Sequence, residues 1–269
     1  MKVKIYGSRG SIAFSGISNT KYGGNSSCTV LDIDGHLVVL DCGTGLLQFY
    51  EENKECFKKG FAFDILLSHL HLDHIIGFSV FPPVFTQDRD IRIFTRSRND
   101  QPLDRQVFEI FKPPYWPVDI SDITGVKTIE IKDENPFKLN DRITVTPFFT
   151  ERHNKTTLFR IDADKSVVYM LDYEMSENID KYDKLIRFCE NVDLVIFDAS
   201  YLPDDYPPRH GWGHSTYEDG IALAKASGCK KMIFSHLSQD YTDDVLDTVN
   251  NVLDSEKFSI AYDGMVIDI

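Results

Sequence analysis

The sequence predicts an α/β protein in which helices flank a pair of mixed sheets, and three observations carry that expectation. Apolar, β-branched runs bounded by Gly, Asp or Asn recur from residue 3 to residue 262. Between residues 126 and 171 strand follows strand, whereas the last third alternates strands with amphipathic helices, so hairpins and crossovers coexist and a purely parallel sheet is disfavoured. No linker rich in Pro, Gly or Ser and no short-period repeat divides the 269 residues, so one domain over 1–269 is expected, with 80–125 as a candidate cap over a pocket.

Taken in order, residues 3–6, 28–33 and 37–41 read as strands, and Asp34-Gly35 supplies a hairpin turn between the last two. Residues 46–59 form an amphipathic helix stopped by Gly60, and 63–67 a short apolar strand. A strand at 91–95 and a helix at 103–111 precede the loop Pro113-Pro114-Tyr115-Trp116-Pro117. Strands follow at 126–131, 143–149, 157–161 and 167–171. The C-terminal third runs helix 179–189, strand 194–197, helix 217–226, strand 231–234, helix 243–253 and strand 258–262.

Composition narrows the partners. Forty-two acidic residues against 29 basic ones give a formal charge of −13, which disfavours a large nucleic acid held through its backbone. A small phosphate ester stays admissible, because bound cations reverse the local field. Residues 1–6 read as a strand rather than a signal peptide, and no apolar run approaches the roughly 20 residues that span a bilayer. Five cysteines without a C-x-x-C pair suit reduced thiols and a cytoplasmic location; no membrane partner is expected, and a homodimer is admissible.

The chemistry concentrates in Ser68-His69-Leu70-His71-Leu72-Asp73-His74, directly after an apolar strand. In an extended segment residues two apart share a side, so His69 and His71 can chelate one ion, while Asp73 and His74 face a second as the chain turns into a helix. Further ligands must come from elsewhere. His153 follows the strand at 143–149, Asp172 ends that at 167–171, and His236 follows that at 231–234, each where open α/β sheets carry functional groups. Asp41 is either a carboxylate orienting a ligand histidine or a turn residue. Gly43 and Gly45 serve the backbone, since their segment lacks a P-loop lysine. His36 and His210 read as ordinary surface or loop residues.

These residues give a resemblance. Gly7-Ser8-Arg9-Gly10-Ser11-Ile12, Tyr22-Gly23-Gly24-Asn25-Ser26-Ser27-Cys28, Asp41-Cys42-Gly43-Thr44-Gly45, the H-x-H-x-D-H run, Gly213-His214-Ser215-Thr216 and Ser235-His236-Leu237-Ser238 resemble the metallo-β-lactamase superfamily. The branch is the one containing ribonuclease Z and cyclic phosphodiesterases. The resemblance implies a four-layer αββα sandwich binding two divalent ions, Zn²⁺ or Mn²⁺. It implies that His69, His71 and His153 hold one ion, that Asp73, His74 and His236 hold the other, and that Asp172 bridges them. An Asp at the bridging position, where lactamases proper often use a Cys among their ligands, fits phosphodiesterases better.

Two ions about 3.5–4 Å apart can share a hydroxide and polarise a phosphoryl oxygen. The catalytic set expected is Asp73, His214 and Asp198: His214 opens a predicted helix and donates the leaving-group proton, and by the resemblance Asp198 is its carboxylate partner. Ribonuclease Z in its bacterial form inserts a transfer-RNA-gripping arm between the residues matching His153 and Asp172. Here strands and a turn consume that stretch, so a small phosphodiester, such as a cyclic nucleotide, is the expected substrate. Residues 81–85, Tyr115 and Trp116 are candidates for its pocket wall or for cap packing. The rivals are a carboxyl-ester, lactone or thioester hydrolase, then a ribonuclease or a non-catalytic metal-binding protein.

Overall fold

The computed structural model describes the chain except residues 59–61, 87–89, 152–154 and 176–180, and except the side chains of Cys56, Lys58 and Ile123. One seven-stranded sheet begins with β1 (Lys2–Gly7), β2 (Cys28–Ile33) and β3 (His36–Leu40), antiparallel neighbours. It continues with β4 (Phe63–Leu66), β5 (Ile91–Thr95) and β6 (Lys127–Glu130), each parallel to the last. The other sheet contains β7 (Phe137–Lys138), β8 (Thr144–Phe149), β9 (Thr157–Asp162) and β10 (Ser166–Met170), all antiparallel. Parallel strands β11 (Leu194–Asp198), β12 (Lys231–Ser235) and β13 (Phe258–Ile260) complete it. Strand β14 (Val266–Asp268) returns to pair with β1. Each sheet is thus an antiparallel meander that becomes parallel at its third or fourth strand, and β3 and β10 stand at the two switch points.

Three apolar clusters define four layers. Val3, Ile5, Leu31, Val38 and Leu40 of the first sheet meet Val145, Phe159, Ile161, Val167 and Ile196 of the second. The alternate residues of the first sheet, Val30, Val39, Phe63 and Ile65, pack under Leu46 and Phe49 of helix α1 (Gly45–Lys58). On the far face of the second sheet, Val168, Val195, Phe197 and Phe234 pack under α5 (Tyr182–Phe188), α6 (Tyr217–Ser227) and α7 (Asp243–Val252). Period-two alternation therefore supplies both faces of each sheet, giving the αββα sandwich. Helix α6 is fixed by a capping box between Thr216 and Asp219 and ends at Gly228, whose left-handed backbone (φ 70°) closes it.

The remaining helical turns are short: α2 (Leu72–Ile75), α3 (Leu103–Val107) and α4 (Ile120–Ile123). The helix expected over 103–111 stops at Val107, because the chain breaks into turns that bury Phe108 and Phe111 against the first sheet's helix layer. The Gly60 stop and the first residues of the helix expected from 179 lie outside the described residues. Among those described, no helix is long and apolar enough to cross a membrane.

Candidate metal centre

The side chains of interest gather at the C-terminal ends of parallel strands: Asp41 after β3, His69–His74 after β4, Asp172 after β10, Asp198 ending β11 and His236 after β12. Asp41, Asp172 and His236 adopt left-handed backbone (φ 59°, 51° and 60°), a strain of about 1–3 kcal/mol each that clusters at functional sites. The sheets are stitched together at this edge. The Thr157 N–H donates to Ser68 O at 3.0 Å, Leu237 N–H to Ser8 O at 2.9 Å, and Gly10 N–H to Leu237 O at 3.1 Å. At Gly10 a Cβ would stand 2.3 Å from His236 Nδ1, so only glycine lets that ring lie where it does.

Two of the donor groups among the described residues include the histidine run. His69, His71 and Asp172 form one; Asp73, His74 and His236 form the other. Asp172 Oδ2 lies 2.9 Å from His74 Nε2 and 3.0 Å from His236 Nε2, while Oδ1 lies 3.5 Å from His69 Nε2 and 3.9 Å from His71 Nδ1. Its carboxylate thus faces both groups. Asp73 Oδ2 is 3.2 Å from both His74 Nε2 and His236 Nε2 and accepts from the Ser11 N–H at 2.8 Å. All of these residues are buried except His71. His153 lies outside the described residues.

The outer nitrogens fix the tautomers. His74 Nδ1–H donates to Asp41 Oδ2 at 2.7 Å, His236 Nδ1–H to Ser200 Oγ at 2.8 Å, and His69 Nδ1–H to Ser68 Oγ at 3.0 Å. The serine hydroxyls point elsewhere, Ser68 to Asp41 Oδ2 (2.8 Å) and Ser200 to the His236 carbonyl (2.6 Å), so the ring nitrogens must donate. Each Nε2 is left facing the centre, available to a cation once any proton on it is displaced. The buried Nε2 of His69 makes no hydrogen bond among the described residues, and those of His74 and His236 face each other at 3.3 Å. Imidazole and carboxylate donors converging in this way fit a pair of divalent cations.

Electrostatics agree with that fit. Burial holds His69 down to about 4, leaving it neutral. Burial also pushes against charge on His74 and His236, but carboxylates outweigh it and both are raised well above the usual histidine value; Asp73, Asp172 and Asp41 act on His74, and Asp172, Asp198 and Asp73 on His236. Without metal, protons neutralise the buried carboxylates that cations otherwise would.

Beside this cluster His214 Nδ1–H donates to Asp198 Oδ2 at 2.9 Å, and the His214 ring stacks on His236 with centroids 4.9 Å apart. Asp198 is fully buried and accepts from the N–H groups of Asp172 (2.8 Å) and Ser200 (3.1 Å). Burial disfavours the charged form of His214, yet Asp198 outweighs it and the imidazole is raised above its ordinary value. Asp172, Asp198, His214 and His236 also lie close enough to form a third donor group.

Sequence reasoning did not identify Ser68, Ser200 or Tyr169, whose hydroxyl donates to Asp41 Oδ2 at 2.9 Å. Tyr169 reads as a core residue of an apolar strand, and only the fold brings it to Asp41. Of the candidate pocket residues, Phe81 and Val84 are core. Tyr115 and Trp116 line a groove of about 430 Å³ with Leu70, Leu72, Ile76 and Ile110. Leu70 and Leu72 alternate with the histidines along the same segment.

Two stacked mixed sheets with helices outside and a histidine–carboxylate cluster at their edge define the metallo-β-lactamase fold. The family model for the Beta-lactamase superfamily domain matches residues 36–237, and the chain belongs to that superfamily, in its ribonuclease Z-like branch. By family it is a metallo-β-lactamase-fold hydrolase, a fold that implies divalent metal ions. Ribonuclease Z of Azobacteroides pseudotrichonymphae genomovar. CFP2 is similar, with 24% identity over 245 residues, 81% of this chain and 83% of that one. Among solved structures, the metallo-beta-lactamase fold protein YhfI from Bacillus subtilis superposes with a TM-score of 0.73 at 21% identity over 99% of both chains. A diphosphatase from the PhnP family superposes with a TM-score of 0.72 at 18% identity, over 100% of this chain and 97% of that one.

Proposed function

We propose that this protein is a cytoplasmic, zinc- or manganese-dependent phosphodiesterase acting on a small phosphodiester such as a cyclic nucleotide. The observation that carries the reading is the shared position of Asp172, whose two oxygens face the two donor groups. His69, His71 and His153 with Asp172 would hold one ion, and Asp73, His74 and His236 with Asp172 the other. Bound there, the ions would supply Lewis acidity towards a phosphoryl oxygen and lower the pKa of an attacking water.

The chain supplies the rest. Asp41, Ser68 and Ser200 orient the ligand rings, so that little reorganisation accompanies binding. His214, whose protonated form its pairing with Asp198 favours, donates its Nε2 proton to the departing ester oxygen as the phosphorus–oxygen bond breaks. Asp198 holds the ring by Nδ1.

A small diester is favoured over transfer RNA for two reasons. The formal charge is −13, and β9 and β10 are joined only by residues 163–165, leaving no room there for an RNA-gripping arm. The test is hydrolysis by metal-loaded protein of bis(p-nitrophenyl) phosphate and a cyclic-nucleotide panel, against precursor transfer RNA and a lactone panel. Turnover of the diesters is expected; exclusive turnover of lactones or of the RNA would contradict the reading.

A further inference from the structure

We infer that Trp212 is a stacking platform for a planar aromatic ring of the substrate, held in place by Glu174 as a positioning residue; this deepens the phosphodiesterase reading and rests on it for the substrate class. The Trp212 indole is 61% exposed, two residues before His214. A lone exposed apolar side chain is ordinary on a protein surface. This one differs because the backbone beneath it is rigidly fixed. Gly211 and Gly213 on either side both adopt left-handed backbone (φ 87° and 92°), a conformation that side chains other than hydrogen resist. Their N–H groups both donate to the Glu174 carboxylate at 2.8 Å, one to each oxygen. The Tyr206 hydroxyl donates to the same group at 2.5 Å.

Glu174 itself is only 2% exposed. A carboxylate taken out of water is costly unless donors replace its hydration, so the three bonds and the burial imply each other. Glu174 is two residues beyond Asp172, which ties the loop directly to the strand end that serves both donor groups. Tyr201 joins the parts: its ring meets Trp212 edge-on at 6.4 Å and His214 edge-on at 5.6 Å, and the Arg209 guanidinium covers it at 5.1 Å. The indole therefore stands one ring away from the imidazole that protonates the leaving group. The backbone on both sides of the indole is thus pinned, while its ring is left largely in water. A ring stacked on it, whether a nucleobase or an aryl leaving group, would gain the apolar and π contact that the fold leaves unused.

The test uses the metal-loaded full chain carrying Trp116→Phe, which leaves Trp212 as its single indole. Adenosine monophosphate, p-nitrophenyl phosphate and inorganic phosphate are titrated while tryptophan emission is read. Saturable quenching by either aromatic phosphate but not by inorganic phosphate supports the platform; quenching by the nucleotide alone assigns it to a nucleobase, and quenching by both assigns it to planar rings generally. In the wild-type background, Trp212→Ala is expected to weaken adenosine monophosphate binding at least about fivefold, with Trp212→Phe recovering most of it. Glu174→Gln is expected to raise KM for an aromatic diester more than it lowers kcat. If adenosine monophosphate binds Trp212→Ala as tightly as wild type, or aromatic diesters are hydrolysed with unchanged KM, the inference is overturned while the phosphodiesterase reading stands. If the nucleotide quenches Trp212 but no diester is turned over, the platform stands and the phosphodiesterase reading falls.

Discussion

The two sheets contribute to the centre in contrasting ways. The first delivers His69, His71, Asp73 and His74 from one stretch after β4, so their spacing is set by the local backbone. The second delivers Asp172, the pair Asp198 and Ser200, and His236 from the ends of three parallel strands whose register aligns Met170 with Phe197 and Asp198 with Ser235. A local chelate needs only an extended turn. The dispersed set needs a whole sheet in register and strained, left-handed backbone at Asp172 and His236. The dispersed side is therefore where a single substitution should reach furthest, since Asp172 faces both donor groups and its N–H also holds Asp198.

The largest expected effect follows from that position. Asp172→Ala should lower metal content from a pair of ions to one or none and cut turnover by about a thousandfold or more, a barrier rise of about 4 kcal/mol; metal analysis and diester assays on the same sample check it. His71→Ala, on the exposed local side, should keep more metal than Asp172→Ala, and equal losses would break the contrast.

His214→Ala should reduce kcat by about 10²–10⁴-fold with metal content unchanged. The loss should shrink for diesters whose leaving group needs no proton, such as p-nitrophenol, and an equal loss for all leaving groups would remove the proton-donor role. Asp41→Asn should cost about 10–100-fold in metal affinity, because Asp41 accepts from His74, Ser68 and Tyr169. Calorimetric titration of metal-stripped protein measures it.

A last effect is expected on pH. His74 and His236 are raised above the usual histidine value in the metal-free protein, so both carry protons near neutrality that a cation must displace. Apparent metal affinity should therefore rise with pH, by about tenfold per unit for each proton displaced, until these groups deprotonate. His69, held near 4, should release none. The same raised values mean that these histidines stabilise the metal-free fold fully below about pH 6.5, a contribution lost as pH rises through their folded pKa. Metal-stripped protein should accordingly lose thermal stability on the alkaline side, where metal-loaded protein does not.

The same contrast explains what the sequence reveals. Strands that alternate or run apolar are legible because the side chains themselves record burial on both sheet faces, as at Val38-Val39-Leu40. Strands β7 and β14 are not, since Phe137–Lys138 and Val266–Asp268 are too short to show a period and exist through pairing with β8 and with the N-terminal β1. At the candidate site, the histidine run after β4 is visible as a local pattern. Asp172 and His236 are visible only as polar residues at strand ends, and Asp41 equally as a turn. Ser200, Tyr169 and Glu174 carry no local signal, because their partners lie up to 128 residues away, and Ser68, though next to His69, shows its role only through its bond to Asp41.

Anomalous diffraction from crystals grown with zinc or manganese would show whether one carboxylate from the second sheet joins two donor groups into a single dinuclear centre. Paired peaks flanking Asp172 are expected, one beside His69 and His71, the other beside Asp73, His74 and His236. A lone peak held by Asp198, His214 and His236, or no peak within coordination distance of Asp172, would contradict that arrangement.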